Sequence, residues 1–421
     1  MDDKNKNIPI NNPTADSNVN TASFAEPKNN KLDSQSDVAT ADSGINIPVE
    51  SKASNNNQSN QVISLQKPPK SNKTKKGGII KLILAIVITL VVVGGSVAAG
   101  YIICKSTTHA VAKLCSGANI VFFPGGTPTD SFASVVYQGA RQAQQDLGPN
   151  VQYVWSDWNT TTMVNQFMDA ISKTPAPTGI AVMGHPGPDA LGPLIAEAES
   201  KNIIVTMQNV DIPTVREQYT SKGFGYVGQD LYATGQMVSD GVIREFNPSP
   251  GTQAIVFGVN PTTEPSRYPR TQGIVDELTS KKIVVHEISL PANVEANPTS
   301  DATKQMFASA LNEYPNTKII IIDHGAVTSA TPNILSELGK KPGQYIVAGF
   351  DLSPTTVQGI EDGYISLVSD QQPFLQGYLP ILQICLTRKY QFSGLDINTG
   401  TGLIDKSNVG PIVKLVDEHY R

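Results

Sequence analysis

Polar side chains recur just after the apolar runs of residues 117–421. They are Asp130, Gln208, Asn209, Asp211, Arg270, Asp323, His324, Asp351, Asp370 and Gln371. Carboxylates and side-chain amides each engage two hydroxyls, and arginine donates in a planar fork. Phe132, Trp155 and Trp158 offer flat faces to the C–H side of a ring. The chemistry these types suit is recognition of a small polyhydroxyl ligand. Each also has a structural use: Asp130 suits a helix cap, Phe132 a core position, and Arg270 an ion pair with Glu264 or Asp276. His185 reads as a polar loop residue. The sequence has no G-x-S-x-G, P-loop, H-E-x-x-H or Rossmann G-x-G-x-x-G motif, and no cysteine pair has metal-ligand spacing. It therefore reads as a binding protein, not an enzyme, with no cofactor and no metal.

Ten short apolar runs must carry these residues. The first set is Asn119–Phe123, Val151–Trp155, Gly179–Met183, Ile203–Met207 and Phe224–Val227. The second is Gln253–Phe257, Ile283–Ile288, Lys318–Ile322, Gln344–Ala348 and Ile365–Ser369. Continuous apolar runs suit strands covered on both faces. Between them lie helical stripes, such as Phe132, Val135, Val136, Ala140, Ala143 and Leu147, with Gly148 as a stop. This alternation predicts α/β architecture with parallel, doubly wound sheets. Two sets of five strands predict two similar lobes, with a ligand between them at the strand carboxyl ends.

The order and spacing of several segments resemble the type I periplasmic solute-binding proteins, in the ribose and galactose branch that serves ABC sugar importers. The segments are GGTPTDSFASVVYQGARQAQQDLG (125–148), NIIVTMQNVD (202–211), YVGQDLYATG (226–235), RTQG (270–273), IVAGFDLSP (346–354), SDQQPFLQGY (369–378) and NTGTGLIDKSNV (398–409). The resemblance covers residues 117–421. It implies a three-strand hinge near 229–230, 370–372 and 397–401. One lobe would be about 117–229 plus 372–398, the other about 230–371 plus 399–421. It implies ligand contacts from Asp130, Phe132, Gln208, Asn209, Arg270, Asp323 or His324, Asp351 and Gln371. It also implies an ABC permease and ATPase as partners. This chain departs from the pattern twice. Gln208-Asn209 stands where many sugar binders carry Asp-Arg, and Ala133 follows Phe132 where many relatives carry a second aromatic. The second departure points to a smaller, modified or non-sugar polyol.

Residues 1–76 hold fourteen Asn and a single aromatic, Phe24, and read as a disordered cytoplasmic tail. Residues 77–104 read as a signal-anchor helix, because 82–104 contain no charge and 23 residues suffice to cross a bilayer. Lys67, Lys70, Lys73, Lys75, Lys76 and Lys81 precede the span, which predicts a cytoplasmic N-terminus and an exported domain after a linker at 105–116. A cleaved signal peptide is the competing reading. Residues 105–421 carry 21 Lys+Arg against 29 Asp+Glu, a net charge of −8, which disfavours nucleic acid as a partner. Cys115 and Cys385 could pair in an exported domain; Cys385 otherwise reads as helix core. The expected function is a membrane-anchored solute-binding protein that captures a sugar or small polyol for an ABC importer. The alternative is an ectodomain that presents the ligand to a signalling partner.

Overall fold

The computed structural model describes Thr89 and residues 112–421. The tail at 1–76 lies outside the described residues, as does the apolar span at 82–104 apart from Thr89. Among the described residues, no helix is long and apolar enough to cross a membrane.

The strands are β1 (Asn119–Gly125), β2 (Asn150–Trp155), β3 (Gly179–Met183), β4 (Ile204–Asn209), β5 (Gly225–Gly228), β6 (Gln253–Gly258), β7 (Val284–Ser289), β8 (Thr317–Ile322), β9 (Ile346–Phe350), β10 (Leu367–Asp370), β11 (Asp396–Asn398) and β12 (Gly402–Asp405). The helices are α1 (Ser131–Leu147), α2 (Thr160–Ile171), α3 (Gly187–Ser200), α4 (Pro213–Tyr219), α5 (Leu231–Phe246), α6 (Tyr268–Ser280), α7 (Ala292–Ala296), α8 (Asp301–Glu313), α9 (Gly325–Glu337), α10 (Pro354–Asp362), α11 (Pro373–Tyr390) and α12 (Val413–Asp417). They build two six-stranded sheets, ordered β11-β5-β4-β3-β1-β2 and β12-β10-β9-β8-β6-β7. The chain passes between the sheets after β5, after β10 and between β11 and β12.

The expectation of five strands per lobe is corrected to six. The added strands, DIN and GLID, are short and form no apolar run of the kind that marks a covered strand. β12 pairs antiparallel with β10, so the second sheet is not wholly parallel. The ninth strand begins at Ile346, because Gln344 belongs to the preceding turn, where its Oε1 accepts from the Lys341 N–H at 3.0 Å.

Alternation along the strands explains the second sheet's unbroken apolar runs. Ile255, Phe257, Ile320, Ile322, Val347 and Val368 pack into one core. Their neighbours Ala254, Val256, Ile319, Ile321, Ala348 and Leu367 pack into another. Successive side chains leave opposite faces of a strand, so both faces are covered. In the first sheet a single core runs from Ile120 and Phe122 through Ile180 and Val205 to Ile381 and Ile384 of α11.

Helix α1 lies against α11 so closely that a Cβ on Gly139 would sit 1.9 Å from the Phe374 carbonyl oxygen, and one on Gly377 1.9 Å from that of Val136. Helices α5 and α6 repeat the device in the other lobe, with Gly235 against the Arg270 carbonyl and Gly273 against that of Tyr232. Cys385 is core and also bonded: a Cys115–Cys385 disulfide ties the start of the domain to α11.

Candidate functional site

The loops at the strand carboxyl ends build a two-sided cleft. On the first lobe, Asp130 does two things at once. Its Oδ1 caps α1 by accepting from the Phe132 and Ala133 N–H groups at 3.0 and 2.7 Å. Its Oδ2 accepts from the Trp158 indole N–H at 3.2 Å. Trp158 sits in a left-handed backbone conformation, φ 56°, and lies directly over Gly125 and Gly126. A Cβ on either would come within 2.4–2.5 Å of the indole. The Phe132 and His185 rings flank Trp158, at centroid distances of 6.1 and 5.4 Å. A second aromatic ring thus stands beside Phe132, carried by the loop after β2 and not by the first loop.

On the second lobe, Arg270 is fixed by Asp323. Its Nε donates to Asp323 Oδ1, its Nη2 to the Asp323 carbonyl at 3.0 Å, and its Nη1 to Gln229 Oε1 at 3.3 Å. Thr271 donates to the other Asp323 oxygen. The guanidinium stacks on Phe350, 4.2 Å from the ring centre. Asp323 is fully buried and its carboxylate is occupied by protein donors. The pairing with Glu264 or Asp276 does not occur. Glu264 binds Arg267, and Asp276 accepts from Tyr232 and Gln272 at 2.9 and 2.7 Å.

Amides join the two lobes. Asn209, at φ 66°, donates to Gln371 Oε1 at 3.5 Å and to Gln376 Oε1 at 3.3 Å. Gln371 donates in turn to Asp351 Oδ1, and Asp351 also adopts a left-handed conformation, φ 70°. Gln229 donates to Ser369 Oγ at 3.2 Å. Gln376 donates to Thr399 Oγ1 at 3.2 Å. Gln208 points inward, its Nε2 donating to the Phe123 carbonyl at 3.0 Å while its Oε1 has no partner.

The lobes meet closely. A Cβ on Gly187 of the first would lie 3.1 Å from Ser266 Oγ of the second. Electrostatics crosses the cleft too. Burial pushes the Asp351 carboxyl up to about 6; Asp370 and Asp130 add to the rise, while Arg270 and the Gln371 amide oppose it. Burial, and then the charges of Arg267 and Arg270, push His185 down to about 3 and His324 well below its ordinary value. Both imidazoles are neutral at pH 7, and both carry a buried Nδ1 without a partner. Burial pushes Glu295 up to about 8 against the opposing charge of Arg267, whose guanidinium lies 3.8 Å away.

The structure thus gathers Asp130, Phe132, Asn209, Arg270, His324, Asp351 and Gln371 at the strand carboxyl ends, with Gln208 and Asp323 beneath them. Gln229, at the expected first crossover, and Gln376, which no strand end marks, are cleft-supporting amides, and His185 is a buried neighbour of Trp158 instead of an ordinary loop residue. Asp211 belongs elsewhere, its carboxylate accepting from Arg216 at 2.9–3.1 Å. Trp155 packs edge-on against Tyr137 at 5.3 Å. Among the described residues no cluster of His, Cys, Asp or Glu could hold a metal ion.

Residues 120–385 match the family described as periplasmic binding protein domain. The xylose/arabinose-binding protein XylF of Sulfolobus acidocaldarius is 32% identical over 307 residues, covering 69% of this chain and 72% of that protein. Among solved structures, an ABC transporter solute-binding protein of Burkholderia graminis in complex with D-arabinose has a TM-score of 0.61 at 23% identity, covering 70% of this chain and 98% of that one. A carbohydrate transporter of Acidothermus cellulolyticus in complex with myo-inositol has a TM-score of 0.60 at 22% identity, covering 72% and 99%. These relatives are sugar-binding transport proteins, not enzymes. With this fold and a match across both lobes, the chain belongs to the type I periplasmic binding protein family.

Proposed function

We propose that this chain is an extracytoplasmic receptor, held at the membrane by residues 82–104 with its N-terminus in the cytoplasm, that captures a sugar in the interlobe cleft and delivers it to an ABC permease and its ATPase. The observation that carries the reading is the convergence of Arg270 and Asp351 of one lobe with Asp130 and Trp158 of the other, bridged by Asn209 and Gln371. The residues assigned to the ligand are Asp130, Phe132, Asn209, Arg270, His324, Asp351 and Gln371, with buried Gln208 and Asp323 supporting them from beneath. Arg270 donates to ligand oxygens, Asp351 accepts from hydroxyls, and Trp158 beside Phe132 covers the apolar face of the ring. Asp323 acts through Arg270, since its own oxygens are occupied. Closure is favoured with ligand bound because groups on both lobes then bond to one molecule. The ligands named for these relatives, xylose or arabinose and D-arabinose, make pentoses the first candidates.

A thermal-shift panel of D-xylose, L-arabinose, D-arabinose, D-ribose, D-galactose and myo-inositol tests this. A true ligand at a hundredfold excess over its Kd stabilises the fold by about 2.7 kcal/mol. A flat response to the whole panel would reject the sugar reading.

A further inference from the structure

The exposed large hydrophobic side chains among the described residues are not evenly scattered. Tyr390, Phe392 and Leu395 are 51%, 56% and 50% exposed and fall within six residues. The Tyr390 and Phe392 rings lie 5.6 Å apart, and the Lys389 ammonium lies 5.3 Å from the Tyr390 ring centre. The run Leu386–Leu395 contains Arg388 and Lys389 and no acid, within a region of net charge −8. Asp396, the next acid, is bound to Arg216 at 2.9 Å. Exposed Lys222 adjoins the patch, because Gly223 packs on Thr387.

The patch lies at the end of α11, where the chain turns back into β11. That is the pole opposite the strand carboxyl ends, and it is also where the chain enters the domain. The disulfide joins Cys115 to α11, and Arg388 donates to the Ser116 carbonyl at 3.2 Å. Ten residues, 105–114, separate Cys115 from the apolar span, and fully extended they reach about 35 Å. With that span in a bilayer, a tether of this length lets the patch reach the lipid surface. Clustered apolar groups on a soluble surface mark a partner. Aromatic rings flanked by long cationic side chains match the chemistry of an anionic headgroup interface.

We propose that the pole formed by Tyr390, Phe392 and Leu395 with Arg388, Lys389 and Lys222 seats on an anionic lipid bilayer. This rests on the anchored reading above. Seating turns the cleft away from the membrane, a posture for collecting ligand, and delivery then requires release of the patch.

The test uses the full chain carrying Phe392→Trp, reconstituted in vesicles of equal parts phosphatidylglycerol and phosphatidylcholine with brominated acyl chains. The native Trp155 and Trp158 lie in the β2 region near the cleft, so the wild-type chain gives the background. A ring seated about 5–10 Å into the interface loses emission to bromine, while the wild type loses none. Adding Lys389→Glu and Arg388→Glu should restore the emission. A chain that sediments with the vesicles but shows no F392W quenching overturns the patch and leaves the anchor standing. A chain that does not sediment with them overturns both. A blue shift that grows with protein concentration in the absence of lipid assigns the patch to a second copy and overturns the lipid assignment.

Discussion

Arg270 and Asp323 form a buried ion pair that uses both the side chain and the backbone of the aspartate. The guanidinium Nε donates to Oδ1 while Nη2 donates to the carbonyl oxygen at 3.0 Å. The pair is capped by Phe350 on one side and Thr271 on the other. Adjacent Asp323 and His324 thus have different jobs. The aspartate orients the arginine, and the histidine keeps a free buried Nδ1.

Removing the aspartate strands a buried cation. Asp323→Ala should destabilise the fold by about 3–5 kcal/mol, read by chemical denaturation, and should abolish sugar binding even under conditions where the variant remains folded. Full stability in this variant would show that Arg270 has another anchor.

The cleft carboxyl and the cleft histidines give opposite pH signs. The Asp351 value of about 6 lies above the ~4 of an unfolded aspartate. The folded state therefore holds that proton more tightly, and the stability this gives is present at low pH and lost as pH rises through 6. Asp351→Asn should gain on the wild type by something on the order of 2 kcal/mol between pH 4 and 7. His185, pushed down to about 3, works the other way. The unfolded chain takes up a proton below about 6.5 that the folded chain refuses, so stability present above that value is lost on acidification. His185→Asn should flatten the acid limb of a melting-temperature profile. Variant and wild-type curves that run parallel at both sites would contradict these environments.

The glycine contact between α1 and α11 makes a packing prediction. A methyl group on Gly139 would meet the Phe374 carbonyl oxygen at 1.9 Å. The helices would have to part, and overpacking of this kind costs about 1–3 kcal/mol. Gly139→Ala should lose that much in denaturant unfolding. Gly402→Ala, where nothing lies within 4 Å, should lose much less.

Much of this fold is legible in the sequence, for reasons that are local. Ten strands announce themselves because both sheets are covered on both faces, leaving runs such as Ile319–Ile322 without a polar break. Strands β11 and β12 do not, because pairing with β5 and β10, not an apolar run, makes them strands. Asp130, Arg270, Asp351 and Gln371 are readable as polar residues at strand ends. Trp158 is harder to see as the partner of Phe132, because the two rings come from different loops. Its one signal is Gly125-Gly126, whose missing side chains make room for the indole. Gln229 falls where the resemblance places the first hinge crossover, whereas Gln376 gives no signal, since an amide that joins two lobes looks like any other glutamine.

Calorimetric titration of the full chain with D-xylose and the two arabinose enantiomers reads sugar capture by the cleft itself. Saturable binding of at least one pentose at one site per chain is expected, with Arg270→Ala and Asp351→Ala each weakening it at least tenfold, a loss of about 1.4 kcal/mol or more. Binding that survives both substitutions unchanged, or a folded wild-type chain that binds none of these sugars, would contradict it.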